Sequence, residues 1–108
     1  MLTYQPTTDL TASANMTYQN MREYYARYSV DWDAAKIQEQ IINLQNWDIL
    51  QNGSVVGAIR LAFDEQGCYI RDLQVAEAFQ NKGIGAEALK ECERLAINAN
   101  ARQLRLRV

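Results

Sequence analysis

Between Tyr69 and Val108 the hydrophobic pattern changes period twice, and no other feature constrains the fold as strongly. Cys68 to Val75 reads as a strand and Ala76 to Lys82 as a polar loop. Ile84 to about Asn98 follows as a helix, with Ile84, Ala88, Leu89, Cys92, Leu95 and Ala96 on one apolar stripe. Asn98-Ala-Asn100 ends it, and Arg102 to Val108 then alternates, with Leu104, Leu106 and Val108 on one face. A strand, a helix and a strand of the same sheet are joined by a right-handed crossover, so the two strands are expected to be parallel.

Upstream the elements are simpler. Met1 to Gln5 reads as a short strand closed by Pro6. Asp9 to Tyr28 places Leu10, Tyr18, Met21, Tyr25 and Tyr28 at helical spacing. A second helix starts near Asp33, with Ala34, Ile37, Ile41 and Leu44 as its stripe and Asp31 or Asp33 as its cap. Trp47–Gln51 and Ser54–Phe63 are strands flanking Asn52-Gly53, the preferred pair for a two-residue hairpin turn with positive φ at both positions. Asp64 to Gly67 turns the chain into Cys68–Val75. The predicted order is β-α-α-β-β-β-α-β, a mixed α/β (α+β) fold in one domain over residues 1–108.

Composition narrows the chemistry. The net charge of -2 opposes the broad basic surface of a phosphate-tracking, nucleic-acid-binding protein. The N-terminus lacks a basic start followed by an apolar run, and no stretch approaches the roughly 20 apolar residues of a membrane span. A cytoplasmic location is expected, with neither membrane nor nucleic acid as partner. The chain contains no histidine, and Cys68 and Cys92 are isolated, so no metal site is expected. The same lack removes the commonest general base.

The loop before the third helix carries the chemistry. It enters the helix through Gln80-Asn-Lys-Gly-Ile-Gly85. A helix start exposes unpaired N–H groups at the positive end of the macrodipole, glycines let the backbone approach a phosphate, and Lys82 adds a charge. This is an anion site suited to a diphosphate. A P-loop is excluded, because Lys82 precedes Gly83 and Ile84 follows it. A dinucleotide fingerprint fits Gly83, Gly85 and Ala88 only superficially. Val75 and Gly83 are too far apart, and Arg102–Val108 contains no acidic ribose ligand.

Gln80 to Gly85, five residues beyond Val75, resembles the Gln/Arg-x-x-Gly-x-Gly/Ala signature of the GCN5-related (GNAT) acetyltransferase superfamily. The strand Tyr69–Val75 and the helix after the loop are similar to that family's central motif, and the two early helices to its first pair. The resemblance implies acetyl-CoA as cosubstrate, with no metal. It implies that amides of Gln80, Asn81, Lys82, Gly83, Ile84 and Gly85 hold the coenzyme A diphosphate. The pantetheine arm would pair with Leu73, Gln74 and Val75, and the N–H near Val75 would polarise the thioester. It further implies an amine acceptor, small molecule or peptide, that attacks the thioester directly.

The sequence departs from the family in places. Ala76 stands where a proline is common, and Tyr69 where some members carry a glutamate base. The family's usual C-terminal helix and hairpin, with a tyrosine that protonates the thiolate, have no counterpart. No catalytic residue is assigned; Asp72 and Glu77 are nearby carboxylates. Tyr24 and Trp32 are acceptor-pocket candidates, while core packing accounts equally for Tyr18, Tyr25 and Tyr28. Cys68 and Cys92 read as packing residues, and Arg102, Arg105 and Arg107 as a charged strand face. Two other readings stand: a non-catalytic acyl-CoA-binding module, and an interaction subunit. The last strand is an exposed edge, which suggests a homodimer through it.

Overall fold

The computed structural model describes residues 1–106. The elements are β1 (Leu2–Pro6), α1 (Leu10–Arg27), α2 (Ala34–Ile41), β2 (Gln45–Gln51), β3 (Ser54–Asp64), β4 (Gly67–Val75), a 3-10 turn (Glu77–Phe79), α3 (Ile84–Asn98) and β5 (Leu104–Leu106). They form a five-stranded sheet in the order β1-β2-β3-β4-β5. The first four strands are antiparallel, and β5 runs parallel to β4 as the crossover requires.

The mixed sheet and the element order agree with expectation, and several boundaries move. Pro6 is the last residue of β1, opposite Trp47, rather than its terminator. Asp33 caps α2 by accepting from the Lys36 N–H at 2.8 Å, and Asp9 caps α1 through Ala12 at 2.9 Å. Asn52 and Gly53 take φ of 53° and 81°, which closes the β2–β3 hairpin. The polar loop contains a 3-10 turn. In β5 Leu104 packs against the core, while Leu106, on the same face by alternation, is exposed. Arg107 and Val108 of the expected strand lie outside the described residues.

Each sheet face has its own chemistry, because successive side chains on a strand point to opposite sides. On one face Ile49, Ile59, Leu61, Cys68 and Ile70 pack against Ile84, Ala88, Cys92 and Ala96 of α3. Leu89, at 36 % exposure, sits at the rim of that stripe. The other face carries α1 and α2, and there Arg60 is wholly buried. Arg60 donates to Asp72 Oδ2 at 2.7 Å, Thr17 Oγ1 at 2.8 Å, Ser13 Oγ at 2.8 Å, Ser13 O at 3.2 Å and Asn46 Oδ1 at 3.3 Å.

This arrangement corrects the expected face of α1. Its buried residues are Ser13, Ala14 and Thr17, not the aromatic stripe. Leu10, Tyr18 and Tyr25 pack at the side, against a small cluster of Ala14, Ile37 and Ile41, and Tyr28 is exposed. The reason is polar: a helix lying over a guanidinium must offer it oxygens, and small side chains allow the approach.

Removing the carboxylate from this pair would leave a buried cation undercompensated. Asp72→Ala is expected to lower unfolding stability by about 3 kcal/mol. Urea denaturation measures it, and a loss within the ordinary surface range would show that the remaining oxygens suffice for Arg60.

Candidate functional site

Among the described residues, β4 is paired with β3 along its whole length and with β5 from Cys68 to Ile70. Just beyond Ile70, β4 carries one extra residue: Arg60 faces Asp72 and Leu61 faces Ile70, leaving Arg71 as a bulge. A bulge increases the local twist and turns its strand away from its neighbour. From Leu73 to Val75 the outer edge of β4 has no strand partner among the described residues. The bulge had a signal in the sequence. The apolar residues run Cys68, Ile70, then Leu73, Val75, so the alternation slips phase between them.

The open edge leads into the loop. The Ala76 N–H donates to the Val56 carbonyl of β3 at 2.8 Å. Because N–H and C=O of one strand residue point to the same side and alternate along the chain, both groups of Val75 face the open edge. Its carbonyl accepts from Asn20 Nδ2 at 2.9 Å and Gln80 Nε2 at 3.0 Å. Phe79 packs against the core beneath the loop, and Ile84 is buried at the start of α3.

Between these anchors the backbone is shaped by positive φ, at Asn81 (64°) and Gly83 (82°). Gly83 is the N-cap of α3 and provides no side-chain cap. The first intrahelical bond runs from Glu87 N–H to Gly83 O at 3.1 Å. The amides of Ile84, Gly85 and Ala86 thus lack an intrahelical acceptor. Gly85 is informative because nothing in the protein demands it. It has no positive φ, and a Cβ there would meet no protein atom within 4 Å. Glycine inside a helix costs roughly 1 kcal/mol relative to alanine, and the space a side chain would take at Gly85 is left free. Lys82 is exposed, with no carboxylate within salt-bridge distance among the described residues.

All nine residues singled out for a coenzyme, Leu73 to Val75 and Gln80 to Gly85, fall on this one edge and loop. A groove of about 260 Å³ between α1 and the loop touches Gln80 and Glu77, with Arg22 on its far wall. A second cavity, about 280 Å³, lies between α1, α2 and β4, against Tyr25, Trp32, Asp72 and Gln74. Trp32 lines it. Tyr24 is exposed and stacks near Tyr28, outside the cavity, whereas Tyr25 lines it and meets Trp32 edge-on at 5.9 Å. A cavity of about 590 Å³ between β1 and α3, lined by Leu2, Tyr4, Glu87 and Glu91 among others, touches none of those nine residues.

The ionisable groups are mostly committed. Asp72 receives Arg60 on one oxygen and Gln74 Nε2, at 2.8 Å, on the other. Burial, and then the Asp72 charge, push the Tyr25 hydroxyl above its ordinary value. Arg105 pairs with Asp64 at 2.9 Å, as suits a charged strand face. Cys68 and Cys92 are buried, which agrees with a packing role. Burial raises the thiol of Cys68, and raises that of Cys92 to about 11. Neither is a nucleophile at neutral pH.

With that geometry in view, a model of the acetyltransferase (GNAT) family matches residues 13–108. The chain belongs to this family. No curated protein sequence matches it. Among solved structures it is similar to a possible acetyltransferase from Clostridium difficile 630, with TM-score 0.79, 15% identity, and 100% of this chain and 80% of that one covered. PaiA N-acetyltransferase of Thermoplasma acidophilum, solved with coenzyme A, gives TM-score 0.68 at 16% identity, over 100% of this chain and 79% of that one. A GNAT family acetyltransferase of Elizabethkingia anophelis, solved with acetyl-CoA, gives 0.65 at 22%, over 95% and 62%. At such identities these structures establish a shared GNAT fold. Among the described residues no helix is long and apolar enough to cross a membrane, and no cluster of three or more His, Cys, Asp or Glu is placed for a metal.

The buried thiol gives a pH test with a definite sign. Cys92 holds its proton more tightly folded, near 11, than at its ordinary value of 9.0. Its contribution to stability is complete below the unfolded value and is lost as pH rises through the folded one. The urea midpoint of the native chain is expected to fall between pH 8.5 and about 10.5, and to fall less in Cys92→Ala.

Proposed function

We propose that this member of the family is an acyl-CoA-dependent N-acetyltransferase that moves acetyl from acetyl-CoA to an amine. One observation supports the reading above others. The unpaired edge at Leu73–Val75 runs directly into the uncapped amides at the start of α3. A ligand with an amide-bearing arm and a diphosphate head matches both. The arm adds to β4 as a strand would, along Leu73, Gln74 and Val75. The diphosphate takes the loop amides of Gln80, Asn81, Lys82, Gly83, Ile84 and Gly85, with Lys82 adding charge. The Thermoplasma and Elizabethkingia structures, with coenzyme A and acetyl-CoA bound, lend the ligand further support.

In this reading the amine nitrogen attacks the thioester carbon and a C–N bond forms. The Val75 N–H, on the open edge, donates to the carbonyl oxygen as it gains negative charge. Collapse breaks the C–S bond. The thiolate takes a proton from water and the new amide releases one to solvent. Asp72 is engaged by Arg60 and Gln74, and Tyr25 holds its proton firmly, so the chain contributes mainly by positioning. The acceptor, a small molecule or a peptide amine, enters the cavity beside Tyr25 and Trp32. The activity belongs to the cytoplasm, where unpaired thiols such as Cys68 and Cys92 persist.

Calorimetric titration with acetyl-CoA tests the site. Gly85→Glu places bulk and negative charge where the diphosphate would lie, and is expected to weaken binding by at least about tenfold. Equal affinities would refute the assignment of the loop. Thiol release with a panel of amines then separates a catalyst from a non-catalytic acyl-CoA-binding module, which would bind without turnover.

We further propose that two copies pair through β5. Its outer edge has no strand partner among the described residues, and Leu106 is 55% exposed there. Sedimentation at high concentration is expected to give a dimer that Leu106→Glu dissolves. A native chain that stays monomeric overturns this.

A further inference from the structure

The peptide between Val75 and Ala76 is held on both sides. Its N–H donates to Val56 O at 2.8 Å, and its carbonyl accepts from Asn20 at 2.9 Å and from Gln80 at 3.0 Å. This is the last peptide of β4 and the first of the loop, so its plane sets the direction in which the loop leaves the strand. Gln80 is a loop residue and moves with the loop. Asn20 belongs to α1 and brings an outside reference.

That reference is firm. Asn20 Nδ2 also donates to Gln74 Oε1 at 3.0 Å, Gln74 Nε2 donates to Asp72 Oδ1 at 2.8 Å, and Asp72 accepts from Arg60 at 2.7 Å. Arg60 in turn grips Ser13 and Thr17 of the same helix. From Ser13 to Asn20 the helix advances roughly 10 Å at its usual rise per residue. Helix α1 is thus fixed at the guanidinium and reaches the end of β4 with a side-chain amide.

We propose that Asn20 is a positioning residue for acyl-CoA. It acts through the Val75 carbonyl and fixes the spacing between the open edge of β4 and the amides that open α3. The inference rests on the coenzyme reading above and adds to it the element that keeps the two halves of the site in register. A ligand that spans both halves gains from that register, because preorganised contacts carry less ordering cost. A ligand that uses only the strand edge does not.

The test compares coenzyme A with pantetheine, which lacks the diphosphate, in 15N-NMR titrations of the native chain, Asn20→Ala and the isosteric Asn20→Asp. The same spectra report folding, and the aspartate variant keeps the shape while removing the donor. Both variants are expected to bind coenzyme A about tenfold more weakly, the size of a lost hydrogen bond, and pantetheine within about twofold of native. Unchanged coenzyme A binding by both variants overturns the proposal. So does an equal loss for both ligands, which would make Asn20 a general support of the strand edge. A native chain that binds no coenzyme A is a different result, since it removes the coenzyme reading itself.

Discussion

The guanidinium of Arg60, with no exposure to water, sits between the sheet and α1 and organises what surrounds it. A buried charge is tolerated only when its donors are met, and here a carboxylate, two hydroxyls, a carbonyl and an amide oxygen meet them. Those partners come from α1, β2 and β4, so satisfying one side chain fixes three elements relative to one another. An apolar interface of similar volume would often be at least as stable. What the ionic one adds is direction, because a planar fork with its acceptors in place admits few alternative dockings of α1.

Direction matters because the candidate site is largely main chain. The uncapped amides at the start of α3 and the unpaired edge of β4 are backbone groups, and their usefulness depends on where the backbone runs. The bulge at Arg71 bends β4 just before that edge. Phe79 and Ile84 pin the loop to the core. The apolar face under α3 supplies the rigidity, and the polar face under α1 supplies the alignment.

Most of the fold was legible from the residues. The hairpin at Asn52-Gly53, the parallel β4–β5 pair and the stripe of α3 follow from local periodicity and turn chemistry, and they stand as expected. Gly83 and Gly85 stood out in the sequence as a loop entering a helix, and a Cβ at either would meet no protein atom within 4 Å. The aromatic stripe of α1 misled, since periodicity identifies a helix but not what lies beneath it. Arg60 interrupts the apolar run Val55–Phe63, and a lone charge in such a strand is the sign that the facing helix must be polar. Asn20 had no such sign. Its role comes from a contact 55 residues away in sequence, which no local pattern encodes.

The same network limits how protons can move. Asp72 lines the cavity beside Trp32 and is the nearest carboxylate to the open edge by position, yet its oxygens already accept from Arg60 and Gln74. Taking up a proton there would weaken the hold on Arg60, and with it the docking of α1. A structural anchor and a general base are therefore competing uses of one carboxylate. Here the geometry favours the anchor. In the proposed reaction, an acceptor that reaches the thioester must then arrive as the free amine or shed its proton to water, so the pKa of the acceptor itself, more than any side chain, would set how the rate depends on pH.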